Sequence, residues 1–316
     1  MIKHNNPKSD FIYDLNSFAE SYLKKKSIEI KHVDLPYLDY LRFRHRRIQV
    51  KPRSIIKSDE FLCPTGYEDK LKALEKRMRE GSDLNPFLTK TINDGLFEDD
   101  LLNYWAIYHF HLADSIDPRN PDFSYRSDKL LLAIVNDTTV YMLKVVSHNE
   151  SNIWSKQEYI KLVNKNWPEL LDKCRLRGAS VEHILTDSEM GGLHKSHINT
   201  FVQIDGDLYL PYGGGETSDG TSFRLAREYD NTHNYLKKTE MIMCDKFWKV
   251  IEDSEIDLGV DEIVELKLYS FDLYKYVIAL IKNTDLAYMF YQENGIGRFD
   301  IGSKDDVLRF KESQVV

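Results

Sequence analysis

His109 and His111 stand two residues apart in Tyr104–Leu112 (YWAIYHFHL), a run of strong β-formers without a breaker that predicts a strand. Residues so spaced on a strand share a face, about 6–7 Å apart, with Trp105 and Ile107 on that face and Tyr108 and Phe110 on the other. Imidazoles transfer protons near neutral pH. His148 follows the alternating run Val140–Val146, and Arg126 precedes the apolar run Leu130–Val135. If the first strand lies beside the hairpin made by these two runs, His109, His111, His148 and Arg126 converge on one sheet edge. Two proton-transfer groups and a fixed cation are what metal-free RNA cleavage requires: the 2′-hydroxyl loses a proton, the leaving 5′-oxygen gains one, and the cation steadies the phosphorane-like anion. The same histidines also make a three-nitrogen zinc set with an open position, the rival reading of a metal-dependent hydrolase, although no HExxH accompanies them. A third reading leaves them as ordinary packed residues of a non-enzymatic protein. Its tyrosine-rich C-terminal sheet would then dock a protein partner in a larger complex, and a homo-oligomer is compatible with all three readings.

Upstream, Arg42, Arg44, His45, Arg46, Arg47, Lys51, Arg53 and Lys57 alternate with Phe43, Ile48 and Val50, and Pro52 favours an extended path. Such a segment projects a cationic ridge that contacts phosphates without regard to sequence, so RNA or ribosome-bound RNA is the expected partner. The charge distribution agrees. The first 90 residues carry 19 Lys+Arg against 13 Asp+Glu, a surplus of six; with −8 overall, the remainder carries −14. Gly213-Gly214-Gly215 lacks a Walker lysine and reads as a mobile hairpin loop. His194 and His197 read first as loop residues and only second as metal ligands.

These residues need elements to hold them. Asp14–Leu23 is a candidate helix. Thr65–Glu68 reads as a capping box ahead of Leu71, Leu74 and Met78 at helical spacing, with Gly81 as the stop. Leu130–Val135, Asn136-Asp137 and Val140–Val146 form a hairpin whose first strand is buried on both faces. Ser155–Glu158 reads as a second capping box opening a helix with Tyr159, Leu162 and Val163 inward. Asn166-Trp167-Pro168 breaks it, and Pro168 starts another helix that ends near Gly178. Asp205-Gly206 turns a second hairpin. From Glu262 onward an antiparallel meander is expected, with a helix over Leu273–Lys282 as the alternative. The class is therefore α+β, antiparallel sheets with packed helices in two structural units. Three regions are expected: a basic 1–90, a strand-hairpin-helix core over 91–180, and an acidic, β-rich 181–316.

At 316 residues, 42% hydrophobic and 30% charged, the chain is long enough for two domains and too apolar for wholesale disorder. No apolar run approaches the roughly 20 residues that span a bilayer, and the polar N-terminus lacks a signal-peptide core. Cys63, Cys174 and Cys244 are scattered, odd in number and form no CxxC pair. A cytoplasmic protein without a structural disulfide framework is expected.

The block Tyr125–Asn152, YRSDKLLLAIVNDTTVYMLKVVSHNESN, resembles the core of the RelE/ParE toxin superfamily. There an arginine-led strand runs into a hairpin whose second strand ends in a histidine, and the strand carrying His109 and His111 would take the place of the first central strand. RelE-type members cleave mRNA, often on the ribosome, with basic and histidine side chains and no metal, whereas ParE-type members act on gyrase. The resemblance thus implies Arg126 and His148 as candidates for phosphate stabilisation and acid/base work. The arginine that often follows the terminal histidine is Asn149 here.

Overall fold

The computed structural model describes residues 5–95, 97–256, 258, 263–306 and 309; Glu262, named above, and the first four residues of the polar N-terminus lie outside them. The chain is α+β, with mostly antiparallel sheets and packed helices. Its first half runs β1 (Lys8–Ser9), α1 (Phe11–Lys25), α2 (Pro36–His45), β2 (Ser54–Lys57), α3 (Glu68–Glu80), α4 (Asp100–Trp105), β3 (Ile107–His111), β4 (Ile116–Asp117) and β5 (Asn120–Ser124). The second half continues with β6 (Lys129–Val135), β7 (Thr139–Ser147), α5 (Glu158–Asn166), β8 (Arg175–Leu176), α6 (Asp187–His194), β9 (Val202–Ile204), β10 (Asp207–Tyr209) and α7 (Phe223–Ser254). The strands β11 (Glu265–Asp272), β12 (Tyr276–Ile281), β13 (Leu286–Glu293) and β14 (Ile296–Ser303) close it.

Two compact units result, and their borders differ from the expected three-way division. One is Ile28–Lys31 with Leu41–Arg227; the other is Met1–Ser27, His32–Tyr40 and Glu228–Val316. The basic N-terminal stretch is no separate domain, because β1 pairs with β11 at the far end of the chain while β2 pairs with β7.

In the 41–227 unit the sheet runs β2-β7-β6-β3, and the β6–β7 hairpin forms over the Asn136-Asp137 turn as its sequence demands. Leu130–Ala133 are wholly buried because both sheet faces are covered. On one face α3 seats Leu71, Leu74 and Met78 against Phe110, Leu131 and Met142. On the other, Tyr159, Ile160 and Val163 of α5 meet Ile107, Leu130 and Leu132. At about 1.5–3 kcal/mol per buried large apolar side chain, these two layers hold the helices on the sheet.

In the other unit β11–β14 form the expected meander; β12 lies where the alternative helix would have been. The 32-residue α7 belongs partly to this unit and was not foreseen.

Several local expectations are corrected. Tyr104 and Trp105 end α4 rather than begin a strand: Ala106 takes a left-handed conformation (φ 56°), its N–H caps α4, and β3 starts at Ile107. Arg42–His45 are helical, not extended. Neither anticipated capping box forms, since α3 and α5 begin after Tyr67 and Gln157 without a side-chain cap. A complete box is built instead by Thr186 and Glu189 at α6. Gly81 does stop α3, in the left-handed region that glycine favours. Pro168 opens only a 3-10 turn (Pro168–Leu170), followed by another (Asp172–Cys174) and β8. Gly213-Gly214-Gly215 is docked against α4, with Gly213 N–H donating to the Tyr104 carbonyl (2.8 Å) and Gly215 N–H to that of Asn103 (2.9 Å).

Candidate active site

β3 pairs with β6 so that His109 lies opposite Leu132 and His111 opposite Leu130. Both histidines therefore project from the Ile107 face, as two-residue spacing requires. β7 ends at Ser147, and the His148 N–H continues the ladder by donating to the Asp128 carbonyl (2.8 Å). This brings the His148 ring to 5.9 Å from that of His111, nearly parallel. The three imidazoles line one cleft of about 300 Å³ together with Glu98, Asp99, Asp100 and Trp154. His148 is exposed, whereas His109 and His111 are 7% and 2% exposed.

The three rings differ chemically. His111 is engaged at both nitrogens: Arg126 donates to Nε2, so Nδ1–H donates to the Ser127 carbonyl at 3.0 Å. Burial, with the Arg126 charge beside it, drives its pKa down to about 3. His109 is also held below its ordinary value, first by burial and against the pull of Asp99, whose Oδ2 lies 3.7 Å from its Nδ1. That Nδ1 is buried and has no hydrogen-bond partner. Trp154 stands edge-on to both His109 (5.1 Å) and His148 (6.2 Å). Arg126 does not line the cleft. It donates to the Leu88 carbonyl (2.9 Å) and to His111, and burial lowers its pKa to about 10.

An acidic wall faces the imidazoles, and the sequence reading missed it. Asp99 caps α4 by accepting from Leu102 N–H (3.2 Å). Glu98 pairs with Arg42 (3.0 Å) and Lys31 (3.7 Å); burial raises its pKa, and Arg42 opposes this. Asp100 is pushed up to about 6, chiefly by burial, then by repulsion from Glu216 and Asp99. Glu216 is itself buried, accepting from Asn103 Nδ2 (2.8 Å) and sharing a hydrogen bond with His197 Nδ1 (2.8 Å). The available hint was the pair Asp99-Asp100 ahead of Leu101-Leu102, an N-cap pattern that fixes where carboxylates gather.

The basic stretch is placed elsewhere than expected. Arg42, Arg46 and Arg53 are buried and tied to the protein's own groups: Arg46 donates to the carbonyls of Thr91 (3.1 Å) and Asp94 (2.9 Å), Arg53 to those of Asn136 (2.8 Å) and Gln49 (2.9 Å). Arg47 covers the Phe43 ring and donates to the Ile92 carbonyl (3.1 Å), and Lys51 pairs with Asp137 (2.7 Å). Arg44 alone of the arginines from 42 to 47 is exposed. These side chains form no extended ridge, because α2 and the turns after it need their donors to close backbone carbonyls.

Among the described residues no group of three His, Cys, Asp or Glu side chains is arranged to hold a metal ion. His194 is buried, stacked on Tyr104 (3.5 Å) and bonded to Thr200 Oγ1 (2.9 Å), and His197 is bound to Glu216. Comparison with family models, with curated proteins and with solved structures returned no match. Among the described residues no helix is long and apolar enough to cross a membrane.

Proposed function

We propose that the cleft of the 41–227 unit is a metal-independent acid–base centre for RNA cleavage, a ribonuclease of toxin or phage-defence kind. The observation that carries this reading is the gathering of three imidazoles, from β3 and from the residue just past β7, around one solvent-reached cleft. His109, kept neutral by burial and holding an unpartnered ring nitrogen, takes the proton of the 2′-hydroxyl. His148, exposed on the same cleft, returns a proton to the leaving 5′-oxygen. His111, with both nitrogens engaged, is a positioning residue, and Arg126 acts through it and through its field on both buried rings. Asp100, titrating at about 6, is protonated in part near neutrality and then offers a phosphate oxygen a hydrogen bond rather than a charge.

Purified full-length chain incubated with naked RNA and with ribosome-bound mRNA tests this directly. Cleavage is expected with and without EDTA, and His109→Ala or His148→Ala should each lower it by roughly 10²-fold or more while the melting transition stays. Intact RNA in both formats, with a folded protein, overturns the reading. Cleavage that disappears in EDTA overturns its metal-independent part.

A further inference from the structure

In the unit that contains the meander, α7 faces a cavity of about 550 Å³ with Asn231, Asn234, Tyr235, Lys238, Thr239 and Ile242. Steps of three and four residues place these six on one helical stripe. A helix laid on a sheet ordinarily seats an apolar stripe there. α7 does so further round and further along, where Leu236, Met243 and Phe247 are buried and Phe247 meets Tyr288 edge-on at 5.3 Å. Over the cavity the stripe carries two amides and a lysine among Tyr235, Thr239 and Ile242.

The sheet side is aromatic. Phe290 and Phe299, cross-strand partners on β13 and β14, lie 5.3 Å apart, and Tyr235 meets Tyr274 at the same distance. Gly297 clears the space that the Phe290 ring occupies, since a Cβ there would come within 2.8 Å of it. Asn231, Asn234, Gln292 and Lys238 are all exposed; the three amides make no side-chain hydrogen bond, and Lys238 no ion pair, to a described residue. No carboxylate is among the described lining residues, in a chain of net charge −8.

We propose that this cavity binds a mononucleotide. The base lies against Phe290 and Phe299 beside the tyrosine pair, the amides meet its hydrogen-bonding edge, and Lys238 takes the phosphate. Aromatic faces accept any base, amides both donate and accept, and a lone ammonium complements one phosphate. The volume falls within the 300–1,000 Å³ typical of small-ligand sites.

Isothermal titration of the full-length chain with AMP, UMP, adenosine and inorganic phosphate decides it. Saturable 1:1 binding of AMP or UMP is expected, with adenosine about tenfold weaker than AMP and phosphate alone not measurable. Lys238→Ala should cost the nucleotide about tenfold and leave adenosine unchanged, whereas Tyr274→Ala should weaken both. Both side chains are exposed, so neither change should alter the melting curve. His109→Ala/His148→Ala, in the other unit, should bind nucleotide normally, which separates this proposal from the cleavage reading. No binding of either nucleotide at millimolar concentration overturns it. So does binding indifferent to both substitutions, or a long-chain fatty acid binding in the nucleotides' place.

Discussion

Both ring nitrogens of His111 are engaged, by Arg126 and by Ser127, while His109 keeps a buried Nδ1 without a partner. Two histidines alike in sequence thus have different chemical fates, set by the hydrogen bonds around them rather than by their spacing. The Arg126 contact requires an unprotonated Nε2, and its charge adds to burial in holding His111 near 3. Arg126→Ala removes both influences. The His111 ring resonances should then titrate at a higher pH, moving from about 3 part of the way toward the ordinary 6.5, with His109 shifting the same way by a smaller amount because Arg126 ranks there behind both burial and Asp99. NMR titration of the ring C–H signals reads this. A His111 midpoint that stays put would show that the guanidinium does not govern the ring.

At the scale of elements, the candidate site depends on how the six-residue α4 is closed. Its last carbonyls accept from Gly213 and Gly215, and a Cβ at Gly213 would lie 2.3 Å from the Asn103 oxygen and 2.5 Å from that of Leu102. Gly213→Ala must lift the loop off the helix and strip both hydrogen bonds, a loss of ~2–3 kcal/mol in urea unfolding. Gly192→Ala is the contrast. It lies in α6 at ordinary φ with nothing near the added methyl, and helix propensity predicts a gain of ~0.5–1 kcal/mol. Equal effects from the two would mean that the loop is not docked. What the residues disclosed follows the same physics. The β6–β7 hairpin, the Asp205-Gly206 hairpin, the Gly81 stop and the C-terminal meander were legible because turn chemistry and period-two alternation are local. The convergence of His109, His111 and His148 was legible because it needed only β3 beside β6. The α4 end at Ala106 was not, since Tyr104 and Trp105 are β-formers that tertiary packing turned helical. Nor was the acidic wall, or the fate of Arg42, Arg46 and Arg53, because which carbonyl an arginine closes depends on residues some 40 to 85 positions away.

Across the whole molecule, charge is managed by burial, and this fixes how stability must respond to acid. His45, His109, His111 and His194 are all held below the ordinary imidazole value, His45 and His194 to about 4 and His111 to about 3, with burial the leading cause each time. In the unfolded chain each titrates near 6.5. From there down to about 4 the unfolded state binds more protons than the folded one, so stability rises with pH through this window; it is full above about 6.5 and is lost as pH falls. Asp100 works the other way: its folded pKa of about 6 exceeds the unfolded 3.8, so it gains as pH drops between those values. Raised Glu98 has the same sign. The four imidazoles should outweigh these carboxyls, giving a net loss of stability as pH falls from 7 to 5. The check is a series of urea unfolding curves at constant ionic strength. His111→Gln should flatten the slope by close to one proton over that interval, because it removes a ring that the unfolded chain protonates and the folded one does not. A stability profile level from pH 7 to 5 would mean that these rings reach solvent in the folded state. The neutral base assigned to His109 would then lose its physical ground.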